Sequence, residues 1–111
     1  MSAETDYRLL ELAAKAAGAD WLAEEDGRFE ILSEIGGVSG YWNPLNDDGD
    51  ALRLAVALDM SVDIDAHEES TYVYAGDIPR IYAMEMWHGS KQDATRLSIV
   101  RLAAEIGRMK P

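Results

Sequence analysis

The chain contains no cysteine, which removes disulfide staples, zinc fingers and thiol catalysis from any account of its stability or function. A chain without cysteine also suits a reducing compartment. Positive charge is scarce: 10 Lys and Arg stand against 21 Asp and Glu, for a formal net charge of −11. So acidic a surface repels phosphate backbones and argues against direct nucleic-acid binding. No apolar run approaches the roughly 20 residues that a membrane span requires. The start, Met1-Ser2-Ala3-Glu4, lacks the basic and apolar stretches of a secretory signal. A soluble, cytoplasmic protein with no membrane partner is expected.

What is present fits one ordinary domain, 1–111. Apolar residues make up 48% of the chain and charged residues 28%, and a chain of this size buries roughly two-thirds of its unfolded surface. The charge is unevenly spread. Residues 1–77 hold 18 Asp/Glu against 4 Lys/Arg, whereas residues 78–111 hold 3 against 6. Such an acidic body favours solubility and steers the protein toward basic partners.

Periodicity then divides the chain. Glu4 to Ala17 carries an apolar stripe of Leu9, Leu12, Ala13 and Ala16 and predicts a helix, with Gly18 at its C′ position. Trp21 and Leu22 read as an anchor folding back on that helix. Arg28 to Ser33 is a strand candidate, the pair Gly36-Gly37 a turn, and Val38 to Trp42 a weaker strand. Asp50 to Leu58 predicts a deeply buried helix with only Asp50, Arg53 and Ala57 facing outward. Met60, Val62 and Ile64 alternate with Ser61, Asp63 and Asp65, the clearest strand pattern in the chain. His67-Glu68-Glu69-Ser70 is a hairpin turn into a strand from Thr71 to Ala75. Gly76-Asp77-Ile78-Pro79 is a second turn, into a strand from Arg80 to Trp87. Ser90 to Ile106 closes the chain as a helix that Gly107 should stop. Ser98, Arg101, Glu105 and Arg108 form its expected polar face, opposite Leu97, Val100, Ala103, Ala104 and Ile106. The expected fold class is α+β, in the order α-β-β-α-β-β-β-α, with one antiparallel sheet covered by helices.

Few residues carry a recognisable chemistry. The stretch Asn43-Pro44-Leu45-Asn46-Asp47-Asp48-Gly49-Asp50 looks like a calcium loop. However, setting Gly49 at the sixth position of an EF-hand puts Pro44 at the first and Ala55 at the twelfth, so both critical ligands are missing. A helix start explains it better: Asp47 or Asp48 caps and Asp50 sits in the first turn. Asp63, Asp65, His67 and Glu69 fall on one face if the strand runs that far, and Asp63, Asp65 and His67 alternate as carboxylate and imidazole metal ligands do, for nickel or manganese; the competing reading is the solvated face of a strand, with a turn beginning at His67. Glu85 lies among Met84, Met86 and Trp87 but has no obvious catalytic partner. Gly36-Gly37-Val38-Ser39-Gly40 lacks both the lysine of a phosphate loop and the spacing of a dinucleotide fingerprint. Tyr72, Tyr74 and Tyr82, with Trp87, could form an aromatic sheet surface, and the surrounding acids favour protein contact over base stacking.

Two segments carry a family resemblance: Trp42-Asn43-Pro44-Leu45-Asn46-Asp47-Asp48-Gly49-Asp50-Ala51-Leu52-Arg53-Leu54-Ala55-Val56, and Ala94-Thr95-Arg96-Leu97-Ser98-Ile99-Val100-Arg101-Leu102-Ala103-Ala104-Glu105-Ile106-Gly107. Together they resemble the phage ABA sandwich domain, found in small proteins of phages and prophages. The resemblance spans residues 8–107 in order. It implies a fold and a phage origin, and it transfers no catalytic residue and no cofactor.

The functional expectation is a phage-encoded acidic accessory protein, not an enzyme, that binds a host or phage protein with a basic surface in the host cytoplasm. Its sharpest form is an inhibitor of nucleic-acid-handling machinery, a DNA mimic or an anti-defence protein such as an anti-CRISPR. The interaction residues expected on charge are Asp47, Asp48, Asp63, Asp65, Glu68 and Glu69. The alternatives are a metal-binding module or metal-dependent enzyme using Asp63, Asp65 and His67, and a virion or assembly component.

Overall fold

The computed structural model describes residues 5–24, 26–77 and 80–111. Along the chain run α1 (Asp6–Ala16), β1 (Trp21–Ala23), β2 (Phe29–Ile35), β3 (Val38–Tyr41), α2 (Asp48–Ala57), β4 (Ser61–Asp65), β5 (Ser70–Ala75), β6 (Ile81–Met86) and α3 (Lys91–Met109). The α+β class is as expected. In place of one sheet there are two three-stranded antiparallel meanders, β1-β2-β3 and β4-β5-β6. The segment read as an anchor supplies the additional strand. Trp21 pairs with Ile31 and Ala23 with Phe29, and the Trp21 ring stacks on Phe29 at 6.3 Å. Three residues are too few to show a period, so only their partners reveal the strand. Of the turn Gly76-Asp77-Ile78-Pro79, the last two residues lie outside the described residues.

Helix α1 begins where the Thr5 hydroxyl accepts the Arg8 N–H at 3.2 Å, and it ends at Gly18, whose φ of +72° only glycine adopts without strain. Its buried side is rich in small residues, Ala13, Ala14 and Ala16 beside Leu9, Leu10 and Leu12. That flat surface lets α3 come very close, and α1 against α3 is the most extensive interface between elements. Gly107 is the point of nearest approach: a Cβ there would stand 2.1 Å from the Leu12 carbonyl oxygen. The glycine therefore belongs inside the helix, where only a hydrogen fits, and α3 continues to Met109. Just beyond, the Lys110 ammonium donates to the Ala16 carbonyl at 2.7 Å, placing a cation at the negative end of the α1 dipole.

Helix α3 is buried on two sides, because β5 and β6 pack on the face away from α1. Ser98, expected on the polar face with Arg101 and Glu105, is completely buried. Its hydroxyl donates back to the Ala94 carbonyl at 2.8 Å and lies beneath Thr71 of β5, so a small side chain satisfied within its own helix permits the contact. Next to it, the Thr71 and Thr95 hydroxyls are 2.8 Å apart, and Trp87 Nε1 donates to Thr71 at 3.0 Å.

Helix α2 starts as the sequence suggested: the Asp47 carboxylate accepts the Asp50 N–H at 2.8 Å. Its buried face differs from the expected one. Asp50 is only 8% exposed, while Leu52 and Val56 are 62% and 66% exposed. The cause is the turn before the helix, where Asp50 folds back to accept the Asn43 N–H at 2.9 Å and the Arg53 guanidinium at 2.8 Å. Those bonds draw Asp50 inward, while Arg53 stays half-buried and Ala57 exposed as expected, and Ala51, Leu54 and Ala55 fill the core.

Candidate functional site

Strand register decides which side chains meet in the second sheet. Asp63 pairs with Tyr72 and Ser61 with Tyr74 across β4 and β5; Tyr72 pairs with Met84 and Tyr74 with Tyr82 across β5 and β6. Because side chains alternate between faces, one face carries Ser61, Asp63, Asp65, Tyr72, Tyr74, Tyr82, Met84 and Met86. The other carries Val62, Ile64, Thr71, Val73, Ala75, Ile81, Ala83 and Glu85, and α3 covers its β5–β6 half. The first face is open to solvent.

At its centre, Tyr72 and Tyr74 lie 6.4 Å apart with nearly parallel rings, and Tyr74 and Tyr82 lie 6.1 Å apart. The Arg80 guanidinium sits 4.9 Å over the Tyr74 ring. Tyr82, Met84 and Met86, 64%, 39% and 51% exposed, follow one another along this face of β6, an unusual row of large apolar groups to leave in water. Trp87 separates from this set: it turns inward to the Thr71 hydroxyl and takes the Lys91 ammonium over its ring at 4.9 Å.

Carboxylates gather at the β4–β5 turn. Asp65 Oδ1 accepts the backbone N–H groups of His67 and Glu68 at 3.0 and 3.1 Å, which makes the hairpin an Asx-type turn. Glu69 completes it in the left-handed conformation, φ 51°. Glu68 reaches back over the open face and accepts the Tyr72 hydroxyl at 2.8 Å. That bond to a carboxylate, with some loss of hydration, holds the Tyr72 phenol above its ordinary pKa. Among the described residues, none of Asp63, Asp65, Glu68 and Glu69 pairs with a lysine or arginine.

The six acids singled out on charge therefore divide into two groups. Asp63, Asp65, Glu68 and Glu69 share the hairpin. Asp47 and Asp48 stand at the start of α2, where Asp47 caps the helix and Asp48 pairs with Arg96 of α3. Arg96 is itself held by Asp93 and by the Leu45 carbonyl at 2.9 Å. His67 leaves the strand and enters the turn, so it does not continue the alternation of Asp63 and Asp65. Among the described residues, no three His, Asp or Glu side chains are disposed to hold a metal ion. Glu85 faces inward and pairs with Arg101; its partner is a structural cation on α3.

Sequence reasoning missed one feature. Between β4, α2 and α3 runs an apolar groove of about 310 Å³, lined by Ala51, Leu52, Val62, Ile64, Thr95 and Ile99. It exists because α3 lies over β5 and β6 and stops short of β4, while α2 presents Leu52 beside the gap. The alternation of β4 marked Val62 and Ile64 as one face but could not show that its cover was incomplete.

No family model, curated protein or solved structure matches this chain. Among the described residues, no helix is long and apolar enough to cross a membrane.

Proposed function

We propose that this chain is a binding protein and not an enzyme, encoded by a phage or prophage, acting in the host cytoplasm on a host or phage protein with a basic surface. One observation carries the reading: Asp63, Asp65 and Glu68, which pair with no lysine or arginine among the described residues, lie on or reach over the same exposed sheet face as Tyr82, Met84 and Met86. Tyrosine offers a large, rigid contact at low entropic cost, and methionine adapts to an irregular partner. The acidic rim speeds encounter with a positive surface and sets orientation. A positive surface that ordinarily receives nucleic acid is the best fit, which makes the protein a competitor for nucleic-acid-handling machinery. The phage origin rests on the sequence pattern around Trp42–Val56 and Ala94–Gly107.

A photo-crosslinking residue at position 82, with position 22 on the first sheet as control, tests the reading in host lysate. Adducts should form from position 82 only, and should be lost with Asp63→Lys plus Glu68→Lys or in about 1 M salt, where the screening length falls to about 3 Å. Equal capture from both positions, or capture indifferent to charge reversal, would refute it.

A further inference from the structure

Strand β4 is an edge of its sheet and is unusually bare. Its outward N–H and C=O groups have no strand beside them among the described residues, and every second residue of an antiparallel edge points those groups away from its partner. Exposed edges are commonly blunted by lysine, proline, a bulge or a covering helix. Ser61–Asp65 has no lysine or proline, its pairing to β5 is regular throughout, and among the described residues α2 and α3 flank it across the groove without closing over it, leaving Val62 and Ile64 40% and 51% exposed. On one side of this edge lies the apolar groove at Val62 and Ile64. On the other stand Asp63 and Asp65, neither of which pairs with a lysine or arginine among the described residues.

We infer that the β4 edge accepts an extended segment of the partner protein, one in which apolar residues alternate with lysine or arginine, as an added fourth strand. The two faces of such a segment match what the edge offers. Apolar side chains enter the groove between Ile64 and Leu52, basic side chains lie against Asp63 and Asp65, and the backbone completes the open ladder. A second copy of this chain fits worse, because antiparallel pairing of two β4 edges centred on Asp63 sets like charges directly opposite each other. The inference rests on the reading of the protein as a binder of basic partners and specifies the form that partner takes.

Three fluorescent seven-residue peptides supply the test: valine alternating with lysine, the same composition in blocks, and the alternating peptide N-methylated along its bonding edge. Binding is followed by anisotropy and by amide exchange of the intact protein. The alternating peptide should bind at least tenfold more tightly than either control and slow exchange in Ser61–Asp65. Ile64→Thr and Asp63→Lys, both at exposed positions, should each weaken it severalfold. If all three peptides bind alike and Asp63→Lys removes them alike, strand addition is overturned while the acidic binding face survives. If no peptide binds, or the alternating one protects only other strands, the inference falls whatever the crosslinking shows. A concentration-dependent dimer that the peptide dissociates would overturn the assignment of the edge to a basic partner.

Discussion

Replacing Gly107 by alanine sets two effects against each other, and the geometry decides between them. In an exposed helix the change stabilises by about 1 kcal/mol, since glycine carries the larger entropy cost. Here the new methyl would lie 2.1 Å from the Leu12 carbonyl oxygen and 2.9 Å from its carbon. Both are backbone atoms, so no side chain can swing aside, and the helices must separate by about 1 Å to reach an ordinary contact. Separation loosens Leu12, Ala13, Ala103 and Ala104, each at most 3% exposed. Overpacking of this kind costs about 1–3 kcal/mol; with a backbone obstacle the upper end is expected, and after the helix gain the net loss is about 2 kcal/mol. The midpoint of thermal unfolding should then fall by about 8 °C, at about 4 °C per kcal/mol for a domain of this size. Urea and thermal melts followed by circular dichroism measure it. Gly49→Ala is the control: the new methyl would meet only the ends of the Arg53 and Asp47 side chains at 3.1–3.3 Å, and stability should hold or rise. Gly107→Ala as stable as the parent would refute the close crossing of α1 and α3.

Thr71→Val should cost about 1–3 kcal/mol by leaving Trp87 Nε1 and the Thr95 hydroxyl without their buried partner, read as a lower urea midpoint. Asp47→Ala should lose the N-cap of α2, about 1 kcal/mol, with faster amide exchange confined to the first turn of that helix. Tyr72 has its pKa raised from 10.0 by the Glu68 carboxylate, so its hydrogen bond is intact below that pH and is lost as alkali ionises the phenol. Tyr41 is raised as well, by loss of hydration, so absorbance titration at 295 nm should show two late-titrating tyrosines, of which only one moves earlier in Glu68→Gln; an unchanged curve would show that the bond does not persist in solution.

Legibility in the sequence followed the reach of each signal. Local patterns were decisive where the signal needed no distant partner: the β4 alternation, which marks a strand although both its faces stay exposed, the Asp47 cap, and the start of α3 at Ser90, whose hydroxyl accepts the Asp93 N–H at 3.1 Å. Gly107 misled because a helix stop and a close helix crossing call for the same residue, and the second depends on Leu12, 95 positions away. The face of α2 misled because its side-chain bonds drew Asp50 inward, a carboxylate that hydropathy alone counts as outward. The division into two sheets follows from which strands pair, and alternation within a strand says nothing of that. For the candidate site, the hairpin acids and the three tyrosines were readable. The inward turn of Trp87 was not, since it lies just past the end of β6 and its indole is placed by Thr71, 16 positions earlier in the chain.

The central place of α3 also bears on how the protein is made. This helix follows both sheets in the chain, so during synthesis the alanine-rich side of α1 and the inner face of β5 emerge from the ribosome with nothing to rest on. At roughly 5–20 residues per second, the 19 residues of α3 take about 1–4 s to translate. Through that interval the nascent polypeptide is exposed to its neighbours, and mutual repulsion among its many anionic groups is a ready means of keeping unfinished copies apart.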